Sequence, residues 1–465
     1  MRIDLNPASM NKRPDNKRRA NSGKPKPVAP APDSRSAALL ILDRVLFKRQ
    51  ALDEVLKQEI AKDGVLVGLS SRDRAFTRLL VATTLRRLGQ IDDVLQKCLA
   101  HPLEDTKPRL KNILRLGVTQ LVFLKTPEHA AVDATVRLAG RESSSRGLIN
   151  AVLRRLIREA DAMAPGDDTA HLNTPEWLFK SWRDAFGEDQ ALAIARAHLQ
   201  EPPLDLTFAS MQALDNWQQE LDADIILNGS LRRVTGGRIE DIAGYDAGDW
   251  WVQDAAATLP ARLLFSALGE TAGRNIIDLC AAPGGKTLQL CSSGANVTAV
   301  DRSAKRLELV ARNLQRANQS AELITADAAK WQPDEAADAV LLDAPCTATG
   351  TFRRHPDAAY LKSAADVGRM ASVQSGLIDA AINMVKPGGV LVYCTCSLQT
   401  AEGEAHAMRL ADHEALEHLP VQAAEIGGLA EAIDASGNLR TLPSHLAEKG
   451  GLDGFFAARY RRRQT

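Results

Sequence analysis

Two cysteines close apolar runs of strand type: Ala339-Val340-Leu341-Leu342-Asp343-Ala344-Pro345-Cys346 and Val390-Leu391-Val392-Tyr393-Cys394-Thr395-Cys396. A third such run, Ile276-Ile277-Asp278-Leu279-Cys280, enters the turn Ala281-Ala282-Pro283-Gly284-Gly285-Lys286-Thr287. In an open parallel α/β sheet the carboxyl ends of the strands line one edge, where ligands bind. The spacing therefore predicts that a glycine-rich turn, a carboxylate and two thiols meet in one crevice. Such a set suits covalent chemistry on an electrophilic ring beside a bound cofactor.

C5 of cytosine is a weak carbon nucleophile. A thiolate added at C6 makes C5 enamine-like, able to attack a methyl sulfonium. An acid that protonates or hydrogen-bonds N3 eases the addition, and a base must then remove the C5 proton before the thiol leaves. This chemistry needs a nucleophilic Cys, a nearby carboxyl group and a second group to assist release. Asp343, Cys346 and Cys396 supply those parts, and spacing leaves open which thiol attacks. Buried Cys more often serves as a small hydrophobe, the bland reading for Cys98, Cys291 and Cys394. Cys346 follows a proline in a loop and Cys396 lies between Thr395 and Ser397, so both fit that reading less well. A C-x-C pair without a neighbouring His is a weak zinc signal, and no metal is expected.

The run from Asp278 to Thr287 resembles a phosphate loop only at its end. Gly285-Lys286-Thr287 is present, but Cys280 stands where that motif requires its first glycine, and the dinucleotide fingerprint G-x-G-x-x-G is absent. What remains is a strand, a tight Gly-Gly turn and a helix start that favours an anionic group such as a carboxylate. The next strand ends in Asp301, able to accept from both ribose hydroxyls, and the following one in Asp327, placed to bond an adenine amino group. Alone, each Asp is more often a turn or helix cap. Together they suit S-adenosylmethionine better than NAD or ATP.

The elements that must position these residues are legible in outline. A chain of 465 residues with 45% hydrophobic content predicts two or three domains with proper cores. Residues 1–34 are basic and proline-rich, the pattern of an extended, disordered tail. Residues 35–163 carry apolar stripes at helical spacing, such as Ala38, Ile41, Leu42 and Val45, and predict an all-α domain of about five to seven helices. Residues 164–253 read as a linker, a helical stretch at 174–200 and a small α+β module. From 254 to 465 strands alternate with helices, which predicts a doubly wound parallel sheet. A late pair near 440–442 and 454–460 reads as antiparallel edge strands.

Neither a secretory signal nor an apolar run long enough to span a bilayer is found. The cysteines do not suggest a disulfide framework, so a reduced, cytoplasmic protein is expected, without membrane partners and with no feature that demands more than a monomer. The formal net charge is zero. Nine Lys/Arg against three Asp/Glu fall in residues 1–35, and eight acids against one Arg in residues 402–434. Basic tails can bind phosphates or merely solubilise.

The runs Asp278 to Thr287, Leu342 to Cys346, Gly350-Thr351-Phe352-Arg353-Arg354-His355-Pro356-Asp357 and Tyr393 to Ser397 closely resemble the RNA cytosine-C5 methyltransferases of the Sun (NOL/NOP) family. The helical region, notably Leu114 to Gly117, Pro127 to Val132 and Asn150 to Arg155, is similar to the antitermination factor NusB. Such a fusion resembles the B-type branch of the bacterial 16S rRNA cytosine-C5 methyltransferases. The resemblance implies a Rossmann-like methyltransferase domain after an all-α NusB-like domain, with 16S rRNA, free or in an early small-subunit particle, as substrate. It makes Cys396 the nucleophile and Cys346 the residue that assists product release. Asp343 would contact the cytosine near the methyl donor, and Lys286 would help order that carboxylate. Cys280, Ala281, Ala282, Pro283, Gly284, Gly285 and Lys286, with Asp301, Asp327 and Asp343, would line the S-adenosylmethionine site, with Arg306 a further contact. Cys394 departs from the family pattern, which often has Ala or Ser there, and the acidic stretch 402–434 is not clearly part of it.

Arg353, Arg354 and His355 follow the Cys346 loop and are candidates to clamp phosphates around a flipped base; the alternative is an Arg–Asp357 tether. Competing readings are a tRNA methyltransferase, a non-catalytic NusB-like assembly or antitermination factor, and an ATPase disfavoured by Cys280. Exposed basic residues expected on the helical domain include Arg72, Arg74, Arg78, Arg86, Arg87, Arg154 and Arg155.

Overall fold

The computed structural model describes residues 33–464 except 141–142, 210–213, 228 and 234–236; the expected tail, up to residue 32, lies outside the described residues. Asp33 caps α1 (Ser34–Leu46), its carboxylate accepting the N–H groups of Arg35 and Ser36 that a helix start leaves unpaired. There follow α2 (Leu52–Ile60), α3 (Ser71–Arg86), α4 (Leu88–Cys98), α5 (Pro108–Val118), α6 (Glu128–Leu138), α7 (Ser143–Arg158) and the short α8 (Ala160–Met163). Their stripes meet in one core that includes Ile41, Leu42, Leu80, Ile91, Leu114 and Leu153.

The Pro-Gly stretch expected as a linker runs into a 3-10 turn at Asp167–Asn173, which docks on α4: the Asn173 side chain accepts the Gln90 N–H at 3.0 Å. The helical reading of 174–200 divides into α9 (Glu176–Phe186) and α10 (Glu188–His198) at Gly187, whose φ of 85° an L side chain rarely adopts. Next comes a small antiparallel sheet, β1 (Leu204–Phe208), β2 (Asp224–Ile226), β3 (Ser230–Arg233) and β4 (Trp250–Val252), in the order β2-β3-β1-β4, with α11 (Leu214–Glu220) beside it. Across β1 and β3 the fully buried Asp205 pairs with Arg232 at 2.7 Å.

The last unit comprises α12 (Ala255–Leu268), β5 (Asn275–Leu279), α13 (Gly285–Ser292), β6 (Asn296–Asp301), α14 (Ala304–Arg316), β7 (Glu322–Thr325), β8 (Ala337–Asp343), α15 (Ala358–Leu361), α16 (Ala364–Met384), β9 (Val385–Thr395), α17 (Glu404–Ala411), β10 (Leu416–His418), β11 (Leu439–Thr441) and β12 (Phe455–Arg462). Its sheet runs β7-β6-β5-β8-β9-β12-β10, parallel from β7 to β9. The strands read as unbroken apolar runs because both faces are covered. Leu341 and Val392 belong to the core with α12 and α13, whereas Val340, Leu342 and Leu391 belong to the core with α16. Truncating a fully buried leucine such as Leu341 to Ala would cost about 2–5 kcal/mol.

One strand position differs from expectation. β12 is not an edge strand; it pairs antiparallel with β9 on one side and β10 on the other, and β11 pairs it too. The edge beyond β12 is formed by β10, inside the acidic stretch, and by β11, the strand expected near 440–442. The helical unit also touches the loop that follows β8. Arg86, expected as exposed, is turned inward and donates to the Arg353 carbonyl at 2.9 Å, while the Leu52 N–H donates to Asp357 at 2.9 Å.

Candidate active site

From β5 the chain steps outward to β6 and β7, then returns to lay β8 and β9 on the other flank of β5. The crevice between β5 and β8 is therefore the topological switch point, where the carboxyl ends of the strands form a binding edge. Cys280 leaves β5 there and Asp343 ends β8. Because β8 and β9 pair in register, with Asp343 opposite Cys394, their exit loops emerge side by side. The Ala344 N–H donates to the Cys394 carbonyl at 2.9 Å, and the Gly350 N–H to the Cys396 carbonyl at 3.0 Å. Gly350 abuts Gly454 so closely that an added Cβ would lie 2.1 Å from the Gly454 carbonyl oxygen. The outcome is a Cys346–Cys396 sulfur separation of 3.4 Å.

Beside the thiols, Lys286 Nζ lies 2.8 Å from Asp343 Oδ2 and 4.9 Å from the centre of the Phe455 ring. Lys286 is buried and Asp343 is one-third exposed. Burial opposes the Lys286 charge, yet the Asp343 carboxylate outweighs it and holds the ammonium above its ordinary pKa. The Cys394 thiol donates to Asp343 Oδ1 at 3.6 Å, and burial, then the Asp343 charge, pushes its pKa well up. The Cys396 thiol is also pushed well up, first by its hydrogen bond with Cys346 and then by burial. Asp278 is fully buried and receives the Thr287 hydroxyl at 2.6 Å; burial raises its pKa to about 7, the Thr287 bond opposing and the Asp343 charge assisting. A Cys98 or Cys291 role at the site finds no geometric support: Cys98 faces Met163 at 3.2 Å, and Cys291 donates to the Ser320 carbonyl at 3.2 Å.

The turn after β5 is built for close approach. Cys280 adopts φ 62° and Gly284 φ 104°, and α13 starts without a side-chain cap. Its first N–H groups are therefore donors for an anion. Arg306 donates to the Ala282 carbonyl, and Asn313 to the Pro283 carbonyl at 3.0 Å, so α14 braces the turn from behind. Asp301 is almost wholly buried, accepting the Ser303 N–H at 2.9 Å and the Ala282 N–H at 3.3 Å, with Arg306 at 3.3 Å. Asp327, by contrast, is 55% exposed.

A cleft of about 530 Å³ runs along this edge, walled by Asp278, Ala281, Pro283, Lys286, Asp343 and Cys396 on one side and by Tyr245 and Val252 of the small module on the other. Arg316 holds the module there, donating to the Tyr245 carbonyl at 2.7 Å and the Trp250 carbonyl at 3.0 Å. A larger hollow, about 750 Å³, lies around Asn275, Asn296 and Glu322 at the opposite end of the strands, away from the thiols and strand-end acids.

The expected phosphate clamp is only partly available. Arg353 is fully buried, pairing with Asp254 at 3.2 Å and Asp453 at 3.1 Å and donating to the Gly450 carbonyl at 2.5 Å. Its assignment as an RNA contact is corrected: a guanidinium spent on two buried carboxylates has no free fork for a phosphate. The tether is also not to Asp357, which instead accepts the Leu52 N–H. Arg354 shares the two acids but lines the cleft with 21% exposure. His355 is half exposed, 3.5 Å from Asp53 of α2. Asp254, Asp453 and Phe455 were not singled out in the sequence. Asp254 was recoverable only as the cap before an apolar run, a role it also fills by accepting the Ala256 N–H. Among the described residues, no cluster of three His, Cys, Asp or Glu is arranged to hold a metal, and no helix is long and apolar enough to cross a membrane.

A family model described as 16S rRNA methyltransferase RsmB/F matches residues 266–461, and one described as the NusB family matches residues 32–158. The chain is 34% identical over 388 residues to the ribosomal RNA small subunit methyltransferase B of Yersinia enterocolitica, covering 80% of this chain and 88% of that protein. It is 33% identical over 395 residues to the protein of the same name from Escherichia coli O1:K1, covering 79% and 90%. The solved structure of PH0851 superposes with a TM-score of 0.69 at 22% identity, over 92% of this chain and 99% of that one. NSun6 from Pyrococcus horikoshii, solved with SFG, superposes at 0.51 and 19% identity over 63% and 99%. Both structures share the fold.

Proposed function

The chain belongs to the 16S rRNA methyltransferase RsmB/F family, and from that membership we propose that it methylates C5 of a cytosine in small-subunit ribosomal RNA, using S-adenosylmethionine and a transient bond between Cys396 and C6. The observation that carries this reading is one cluster: two thiols 3.4 Å apart beside a carboxylate held 2.8 Å from a buried lysine, with Cys396, Asp343 and Lys286 lining a cleft at the switch point.

The residues present fit the cofactor. The uncapped start of α13 offers N–H donors to its carboxylate and the Gly284 turn permits close approach; Asp301, the last residue of β6, and Asp327, two residues beyond β7, are assigned to its ribose and adenine. Ala281, Pro283, Gly285, Lys286 and Asp343 line the cleft on that side, and Arg306 braces the turn through the Ala282 carbonyl. When bound, S-adenosylmethionine supplies an electrophilic methyl group.

The chain's own residues do the rest. The Cys396 sulfur bonds C6 while its proton is transferred to N3 by way of Asp343, which leaves C5 enamine-like. Lys286 keeps Asp343 aimed at the base by its ion pair. After C5 gains the methyl group, the C5 proton passes to water, the ring double bond re-forms and the Cys396 sulfur leaves, recovering its proton from N3 by way of Asp343; Cys346, in sulfur contact with it, assists that release. Overall a methyl cation equivalent enters and a proton leaves. RNA is gripped by Arg354 and His355 at the cleft mouth and by the helical domain. Incubation with labelled S-adenosylmethionine and 16S rRNA, followed by nucleoside analysis, should yield 5-methylcytosine. A methylated product at N3, N4 or a ribose oxygen would reject the chemistry, and modification of tRNA but not rRNA would reject the substrate.

A further inference from the structure

The acidic stretch that begins at residue 402 has no place in the reading above, yet its first acid is one of the most enclosed side chains in the molecule. Glu402 is fully buried in the 3-10 turn Thr400–Glu402 just after the Cys396 loop. One carboxylate oxygen accepts the Thr347 N–H at 2.9 Å and the Gln374 side-chain N–H at 3.1 Å. The other accepts the Ser397 hydroxyl at 2.5 Å and the Thr347 hydroxyl. Thr347 is one peptide from Cys346, and Ser397 is one peptide from Cys396.

We propose that Glu402 is a positioning residue for the two-thiol chemistry, clasping the loop that carries Cys346 to the loop that carries Cys396. The proposal rests on the functional reading above. The hydroxyls around the carboxylate form a directed set. Ser397 gives its single proton to Glu402, so it must accept from Thr349, 3.1 Å away, and it also accepts the Gln399 N–H at 3.1 Å. Thr349 in turn accepts the Leu398 N–H at 2.9 Å. Both thiol loops are thus cross-linked through one acceptor. Glu402 itself is anchored by its backbone, whose carbonyl accepts the Tyr393 hydroxyl at 2.7 Å and the Thr395 hydroxyl at 3.2 Å.

The chemistry of the donors explains a carboxylate in this place. Among the described residues Glu402 forms no ion pair, so its buried charge is balanced by N–H and O–H dipoles alone. Charge-assisted bonds of this kind are shorter and roughly twice as strong as neutral ones. An amide would turn an N–H₂ group toward hydroxyl or N–H donors and release one side of the clasp. A shift of about 1 Å between reacting groups can cost on the order of 100-fold in rate.

The test uses the full-length protein and the variants Glu402→Gln and Ser397→Ala, with two kinds of readout. Oxidation by diamide, which takes two electrons and two protons from the Cys346–Cys396 pair, reports thiol spacing without any substrate; peptide mapping separates this link from links to Cys394. Single-turnover methyl transfer to 16S rRNA reports catalysis, and calorimetry reports S-adenosylmethionine affinity. For Glu402→Gln we expect cofactor affinity within about twofold of the parent, a single-turnover rate constant at saturating RNA and cofactor lowered by about tenfold or more, and a disulfide rate changed by about threefold or more. Ser397→Ala should move both rates in the same direction by less. Parental rates in both assays would overturn the proposal, as would slowed transfer matched by an equal loss of cofactor affinity. If Glu402→Gln does not fold, Ser397→Ala decides by the same criteria. If the parent protein methylates no RNA, the functional reading fails, while the disulfide rates still decide whether Glu402 sets the thiol geometry.

Discussion

The sulfurs of Cys346 and Cys396 lie 3.4 Å apart although fifty residues separate them in the chain. Parallel neighbours β8 and β9 end at the same sheet edge, and the loops beyond them are bonded backbone to backbone. A pair this close lets both sulfurs reach one substrate atom without moving either loop, as the proposed division into attack and release requires.

The two thiols should therefore fail differently. Cys396→Ala removes the sulfur proposed to attack and should abolish methyl transfer, whereas Cys346→Ala should complete methylation and stall at release. A denaturing gel of Cys346→Ala mixed with 16S rRNA and S-adenosylmethionine should show a slow, RNase-sensitive band. An RNase-sensitive band from Cys396→Ala, with no transfer by Cys346→Ala, would exchange the two roles, and full turnover by Cys396→Ala would remove Cys396 from both.

Alkylation should follow the raised pKa of Cys396. Its hydrogen bond with Cys346 and its burial both favour the neutral thiol, so little thiolate exists near pH 7. Iodoacetamide labelling of this residue, followed by peptide mass spectrometry, should be slower than that of a free thiol at pH 7.5. It should rise about tenfold per pH unit through pH 9. Cys346→Ala removes the hydrogen bond and should speed labelling at pH 7.5; a pH-independent rate would contradict this account.

Arg353→Ala should read as a folding defect rather than as a loss of RNA contact. It leaves Asp254 and Asp453, both buried, with Arg354 as their shared partner. Breaking a buried pair of this kind costs about 3–5 kcal/mol. Thermal and denaturant midpoints should fall clearly, while the folded fraction keeps its affinity for RNA. Arg354→Ala, at the cleft, should weaken RNA binding more per unit of stability lost.

His198 should make the protein sensitive to mild acid. Its ring is buried between Trp182 and Phe352, at 5.3 and 5.4 Å, and neither nitrogen has a hydrogen-bond partner among the described residues. Burial, then the charges of Arg353 and Arg86, lowers its pKa to about 3 from an ordinary 6.5. The unfolded chain therefore binds a proton that the folded chain refuses between those values. Stability is full above pH 6.5 and declines as pH falls toward 3, by about 1.4 kcal/mol per unit for this group. His198→Phe keeps the ring and should flatten melting temperature between pH 6.5 and 5 relative to the parent.

Much of the fold is written locally. The alternation of apolar runs with helical stripes from Asn275 to Thr395 identifies the parallel sheet, because strand and helix periods are set by neighbours a few residues apart. The gathering of Asp343, Cys346, Cys396 and the Gly284 turn follows from the same alternation, since parallel strands must end at one edge. Other features were not legible. β12 inserts beside β9 instead of closing the edge, and antiparallel pairing between distant strands leaves no short-range mark. Arg353 reads as an open basic residue until Asp254 and Asp453, about a hundred positions away on either side, are brought to it.

By itself the sequence determined the reactive groups, the order of strands and helices around them, and the edge at which they had to collect. Only the tertiary structure decided which charges are buried against which, that Arg353 faces inward, and that Glu402 ties the two thiol loops. Periodicity and turn chemistry act over a few residues and are visible in any window of the chain. The partner of a buried charge is chosen by desolvation, which exists only once remote segments have closed over it.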